Sequence, residues 1–114
     1  MKANDLLTLR NALQYQLNYS VKSKNGESFL RDIQHYGIQR ALRRNFNLLN
    51  TEADEILQSV ECFKIEEERK KAIIEAPEIE IDFKKINADD IPDDAKIDAS
   101  GVWILEHFFE TEKE

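Results

Sequence analysis

A regular seam of apolar residues runs through the middle of the chain. Across residues 42–63 the gaps between successive apolar positions alternate between four and three residues. This spacing is typical of a coiled coil, because it keeps one narrow apolar stripe on the same side of a long helix. The stripe must pack against another helix, from the same chain or from a partner. Its members are Leu42, Phe46, Leu49, Ala53, Ile56, Val60 and Phe63.

The seam lies within a longer stretch that predicts one helix over residues 28–72. Ser28 is a suitable N-cap, and Pro77 forbids continuation of the helix. Two positions offer an alternative: a bend near Gly37, or a new helix capped near Asn50. We favour a continuous helix, because a break would have to preserve a seam that runs through in phase.

A second apolar face predicts a shorter helix over residues 5–19. Its leucines recur at intervals of three and four residues, and they are Leu6, Leu9, Leu13 and Leu17. Residues 20–27 are polar and contain the turn dipeptide Asn25-Gly26, so they predict a loop. The two helices would then form an antiparallel hairpin.

The chain after the hairpin predicts one β-strand and one more helix. Residues 78–83 alternate strictly between acidic and apolar side chains, which is typical of a strand with one packed face and predicts a strand over residues 78–84. A lone strand needs a neighbour, which could be residues 19–22, a second subunit or another protein. Residues 87–97 predict a loop, and residues 99–110 predict a terminal helix.

The expected fold class is therefore a mostly helical α+β fold, in a single domain over residues 1–114. It comprises a long helical hairpin followed by one short strand and a C-terminal helix. The length of 114 residues is typical of one domain, and only three glycines and two prolines interrupt the helical patterns.

The net charge of −7 conceals a strong asymmetry along the chain. Residues 1–50 hold eight Lys and Arg against three Asp and Glu, a net +5. Residues 51–114 hold eight against twenty, a net −12. The acidic end can therefore fold against the basic end, or two copies can meet head to tail.

Three arginines close together in the predicted long helix are the candidate anion contacts, namely Arg40, Arg43 and Arg44. A helix would present all three along one edge. The negative net charge and the absence of interleaved aromatics argue against a nucleic-acid partner. Acidic residues of the same chain or of a second copy are the better expectation.

Catalytic and metal-binding signatures are missing from the sequence. His35 and His107 fit no zinc-ligand spacing, and the aspartates between residues 89 and 98 lack the glycine and glutamate of an EF-hand loop. No glycine-rich phosphate loop or nucleophile elbow occurs. We therefore expect no enzyme, no cofactor and no metal. Cys62 has no disulfide partner, and no apolar run reaches the ~20 residues that span a bilayer, so we expect an intracellular protein without a membrane segment.

The candidate partner-binding residues are apolar positions that the predicted fold leaves incompletely covered. The first helix is too short to cover the whole seam, and the strand has no sister. The last helix carries large aromatic residues, which concentrate at binding hot spots. These candidates are Phe46, Leu49, Ile56, Val60, Phe63, Ile79, Ile81, Phe83, Trp103, Phe108 and Phe109.

The order of the elements resembles a family of small proteins encoded by tailed bacteriophages and prophages. The resemblance is carried by LLTLRNAL, by GIQRALRRNFNLLNTEADEI and by EIEIDFKKINADDIPDDAKIDASGVWILEHFFE. Arg44-Asn45 matches an Arg-Asn dipeptide near the start of that family's long helix. The resemblance implies a phage or prophage origin, a location in the bacterial host cytoplasm or in the virion, and no known activity. It supplies no catalytic residues.

These observations favour a non-enzymatic phage or prophage accessory protein that acts through protein–protein contacts. It would be an assembly factor or a minor structural component, and its partner would be itself, another protein or both. The competing hypothesis is an acidic inhibitor of a host defence or nucleic-acid-binding complex, in which residues 75–98 imitate nucleic acid. A small DNA-binding regulator that uses the three arginines is a third, less favoured hypothesis.

Overall fold

The computed structural model describes residues 1–18, 29–93 and 95–110. This part of the chain is mostly helical, as the sequence predicts, and it contains no β-sheet. The helices are α1 (Ala3–Asn18), α2 (Tyr36–Ser59), α3 (Glu66–Glu75) and α4 (Ala99–Glu106). Two short 3₁₀ turns cover Leu30–Asp32 and Ala88–Asp90. The predicted loop over residues 20–27 and the N-cap Ser28 lie outside the described residues.

Helices α1 and α2 pack against each other in antiparallel orientation. At one end, Gln16 of α1 accepts a hydrogen bond from the backbone N–H of Leu30, just upstream of α2. At the other end, the amino group of Met1, just before α1, donates a hydrogen bond to the Ile79 carbonyl. Ile79 and Ile56 of α2 line one surface groove, which places the start of α1 near the end of α2. The core between them is formed by the leucines of α1 together with Leu42, Leu49 and Ala53 of α2, all buried.

The single helix predicted over residues 28–72 is wrong at its start. The chain first makes the 3₁₀ turn Leu30–Asp32, and α2 begins only at Tyr36. His35 caps α2, because its Nδ1 accepts the backbone N–H of Ile38 at 3.1 Å. Gly37 therefore lies in the first turn of α2 and marks no bend, and α2 passes through Asn50 without interruption.

The long helix also breaks at residues 60–65, downstream of both positions that the sequence suggested. Helix α2 ends at Ser59 and α3 begins at Glu66. All side chains from residue 61 to residue 71 are exposed, so no core packing supports a continuous helix there. Arg69 instead donates from Nε to the backbone carbonyl of Phe63 at 2.6 Å, which ties the connection to the new helix.

The strand predicted over residues 78–84 is not seen. The described residues form a single isolated parallel bridge, between Ile86 and Phe109. Residues 78–86, called the strap below, instead cross the hairpin, and the side chains of residues 78–83 alternate between exposed and half-buried. The predicted packing of the apolar residues is confirmed, since Ile79, Ile81 and Phe83 pack against the core. The pattern predicted a strand because it reports burial, whereas a strand also needs a neighbouring backbone.

Three attachments hold the strap in place. Ile79 exchanges two backbone hydrogen bonds with Met1, at 2.8 and 2.9 Å. The backbone N–H of Ile86 donates to the carbonyl of Phe108 at 2.7 Å. Between these two attachments, the side-chain amide of Asn45 binds both backbone groups of Lys84, at 2.7 and 2.9 Å. Asn45 is fully buried and takes the place of a partner strand.

A second buried amide anchors the start of α4. Gln16 donates from Nε2 to Asp98 at 3.2 Å, and Asp98 caps α4 by accepting the Gly101 N–H at 2.7 Å. Helix α4 ends at Glu106, four residues before the predicted end. Its buried side chains, Ile104 and Leu105, join the core.

We predict that Asn45→Ala lowers the free energy of unfolding by about 1–3 kcal/mol, because Lys84 keeps a backbone donor and acceptor without partners. The exposed Asn47 lies two residues further along α2, and Asn47→Ala is the matched control, expected within about 0.5 kcal/mol of the wild type. Urea unfolding followed by circular dichroism measures both changes. Equal effects of the two substitutions would contradict the role given to the Asn45 amide.

We also predict that Gly101→Ala destabilises the fold, although alanine favours helices. A Cβ at position 101 would collide with the Ile97 side chain and lie 3.3 Å from Cδ2 of Leu30. Overpacking of this kind costs about 1–3 kcal/mol. Replacing glycine by alanine in a helix gains only ~1 kcal/mol, so the cost of overpacking outweighs the gain over most of this range. The neighbouring Ser100→Ala, at an exposed position, should leave the urea midpoint nearly unchanged. A stabilised Gly101→Ala protein would show that this packing is loose.

Candidate protein-binding groove

An open apolar groove lies between the end of α2, helix α3 and the start of the strap. Its volume is about 490 Å³. The apolar side chains that line it are Ile56, Val60, Phe63, Ala72, Ile73, Ala76, Pro77 and Ile79. We refer to this surface as the groove.

The groove exists because α1 covers only the first part of the seam. Leu42, Leu49 and Ala53 are completely buried, whereas Ile56 and Val60 are half-buried and Phe63 is 37% exposed. The turn at residues 60–65 then places α3 across the groove from the uncovered end of α2. The same heptad spacing therefore supplies core in its first part and an accessible surface in its last part.

Acidic side chains surround the apolar floor. Glu52, Glu55 and Glu78 line the groove, and no lysine or arginine does so among the described residues. Glu78 lies 3.8 Å from the Met1 amino group, and its side chain remains 72% exposed. Glu52 and Glu55 form no ion pair with any described residue. The groove therefore has an apolar floor and a negative rim.

Helix α3 has two unlike isoleucines in succession. Ile73 is half-buried and faces the groove, while the side chain of Ile74 is 71% exposed and lies outside it. No residue of α3 is buried. This helix therefore owes its position to a few contacts with its neighbours, and the two isoleucines provide a matched pair for testing the groove.

The three arginines lie on the other half of α2 and all are exposed. None of the guanidinium groups of Arg40, Arg43 and Arg44 forms an ion pair or hydrogen bond with another described residue. Glu52 and Glu55 of the acidic rim thus lie on the same helix as the three arginines, and the two sets form no ion pairs with each other.

The predicted partner-binding residues separate into four groups. Leu49 and Phe108 are completely buried, so their side chains belong to the core. Phe46, Ile81, Phe83 and Phe109 are half-buried against that core, and the Phe83 ring meets the Phe108 ring edge-on at 5.0 Å. Trp103 is 37% exposed and contacts His107. The groove brings together the remaining four, which are Ile56, Val60, Phe63 and Ile79.

Sequence reasoning missed the opposite wall of the groove, which Ala72, Ile73 and Ala76 provide. Their spacing of one and three residues within a mostly charged helix was the available signal. It could not be interpreted without the turn at residues 60–65, because a continuous helix would carry α3 away from the rest of α2.

The described residues hold no cluster of His, Cys, Asp and Glu side chains arranged to bind a metal ion. In the same part of the chain, no helix combines the length and apolar character needed to cross a bilayer.

Comparison with known proteins identifies no relative. No protein-family model, curated protein or solved structure matches the chain. The resemblance to phage and prophage proteins therefore stays a prediction.

We predict that the groove residues contribute little to folding stability compared with the core. Phe63→Ala should lower the free energy of unfolding by less than about 1.5 kcal/mol, because the ring is already partly in water. Phe108→Ala should lower it by about 3–5 kcal/mol, because it leaves a cavity at a completely buried site. Urea unfolding of both variants tests this difference. A large loss at Phe63 would assign that ring to the core.

Proposed function

We propose that this protein is a non-enzymatic accessory protein that acts by binding another polypeptide in the groove. The observation that carries the proposal is the exposure of the last part of the seam beside a ring of carboxylates. An apolar floor of eight side chains would bury an amphipathic segment, as helix-binding grooves do. The acidic rim favours a segment whose apolar anchors are flanked by lysine or arginine.

The size of the groove suits a few anchoring side chains. Binding pockets commonly measure about 300–1,000 Å³, and this groove falls within that range. Each aliphatic or aromatic anchor that becomes fully buried contributes about 1.5–3 kcal/mol before the costs of association. Two or three anchors therefore support binding of moderate affinity, which suits an assembly factor that must later release its partner.

The biological setting that we propose follows the resemblance to phage and prophage proteins. In that setting the protein is an assembly factor or a minor structural component, present in the host cytoplasm or in the virion. The groove supports the contact-based part of this proposal, and the setting itself depends on the resemblance.

The acidic strap supports the second candidate, an inhibitor that imitates nucleic acid. Glu78, Glu80 and Asp82 are all exposed, and they follow one another at alternate positions. Such a row could occupy a basic cleft of a host defence complex. The apolar floor of the adjacent groove favours a protein helix instead. Imitation of nucleic acid depends on negative charge, and exposed isoleucine and phenylalanine side chains do not contribute to it.

We predict that the groove binds a synthetic amphipathic peptide with a leucine face and lysine flanks. A peptide with the same leucine face and glutamate flanks should bind at least ~10-fold more weakly, a difference of about 1.4 kcal/mol. Isothermal titration calorimetry measures both affinities. Raising the salt concentration should weaken the lysine peptide selectively, because the rim is exposed.

Two variants show whether the peptide occupies the groove. Ile73→Asp places a charge on the groove wall and should abolish binding, whereas Ile74→Asp changes the adjacent exposed residue and should preserve it. Circular dichroism verifies that both variants keep the wild-type helix content. Equal binding by both variants would exclude the groove as the binding site. A lysine peptide that binds no better than the glutamate peptide would contradict the charge argument.

A further inference from the structure

We infer that the occupant of the groove is α2 of a second copy of this chain, presented through its exposed basic face. This inference rests on the proposed function and identifies the partner. The basic face consists of Tyr36, Arg40, Arg43 and Arg44.

These four residues share one side of α2. They lie at intervals of four, three and one residues, a spacing that aligns side chains along one helix face. Tyr36 is 79% exposed, and the three arginines are exposed as well. The face therefore presents one aromatic anchor followed by three positive charges, which are the two features that the groove selects.

The charges on the two surfaces are complementary, and most of them are unpaired within the described part of the chain. Arg40, Arg43 and Arg44 form no ion pair with the described residues, and neither do Glu52 and Glu55 at the rim. Arginine is also the residue best suited to bidentate pairing with carboxylates. Contact between two copies would bring three arginines against the rim, where Glu78 adds a third carboxylate.

The two surfaces cannot meet within one molecule. Arg40 and Ile56 lie on the same uninterrupted helix, sixteen residues apart in sequence, which corresponds to about 24 Å along the helix axis. The basic face must therefore enter the groove of another copy. A pair held by one such contact keeps a free groove on one copy and a free basic face on the other, so the contact repeats head to tail unless both contacts form at once about a two-fold axis.

Head-to-tail contact predicts a specific pattern of assembly. The wild-type protein should grow beyond a dimer as its concentration rises, and added salt should reverse the growth. Sedimentation equilibrium measures the mass distribution. Arg40→Glu combined with Arg44→Glu destroys the basic face only, and Ile73→Asp destroys the groove only. Each variant alone should lose self-association by ~10-fold or more in the association constant.

Mixing the two defective variants gives the decisive measurement. The intact groove of the arginine variant can accept the intact basic face of the Ile73→Asp variant. The mixture should therefore form a pair that stops at two subunits, although neither variant associates alone. Ile74→Asp should assemble as the wild type does. An interface that pairs the groove with the groove, or the basic face with the basic face, would not be rescued by mixing the two variants.

Other outcomes overturn the inference. A wild type that stays monomeric while its groove binds the lysine peptide would exclude a second copy as the occupant and leave the proposed function standing. Self-association that survives both sets of substitutions would assign the contact to a different surface. A monomer that also fails to bind the lysine peptide would remove both this inference and the proposed function.

Discussion

The paired hydrogen bonds between the Asn45 amide and the Lys84 backbone are the constraint on which the rest of the structure depends. Asn45 is fully buried in α2, and its amide satisfies both backbone groups of a residue in the strap. This attachment sets the path of the strap across the hairpin. The strap in turn places Phe83 over Phe108 and carries Ile79 to the groove, where Pro77 and Ile79 form one wall. Gln16 has the corresponding role at the opposite end, between Leu30 and Asp98.

Periodicity predicted the helices because helix formation is largely local. The leucine pattern located α1 to within two residues at its start, and α2 contains most of the seam. The strand was predicted incorrectly for a reason that the same logic explains. Alternation along residues 78–84 records which side chains face the core, but the hydrogen-bond partner of Lys84 is a side chain 39 residues away. No local pattern distinguishes an asparagine that replaces a partner strand from any other polar residue on a helix.

The break at residues 60–65 could not be predicted from the sequence either, because the seam continues in phase through Val60 and Phe63, which both lie within the break. A helix persists where its apolar face is buried, so the end of α2 depends on how far α1 reaches rather than on local sequence. The groove therefore also depends on how far α1 reaches along α2. Its α2 side, with Ile56, Val60 and Phe63, followed from the seam, whereas the α3 side follows from the turn. Half of the candidate site was therefore predictable, and the other half required the tertiary arrangement.

The rigidity of α2 holds the basic and acidic groups of the chain apart. A flexible chain with a basic half and an acidic half can neutralise itself by folding back. Here both charges lie on one uninterrupted helix, with the arginines on its first half and Glu52 and Glu55 on its second. Because the helix keeps them apart, their mutual attraction within one molecule is weak beyond a Debye length of about 8 Å at physiological salt. The attraction is available only between molecules, where it brings the basic half of α2 in one copy against the acidic half of α2 in another.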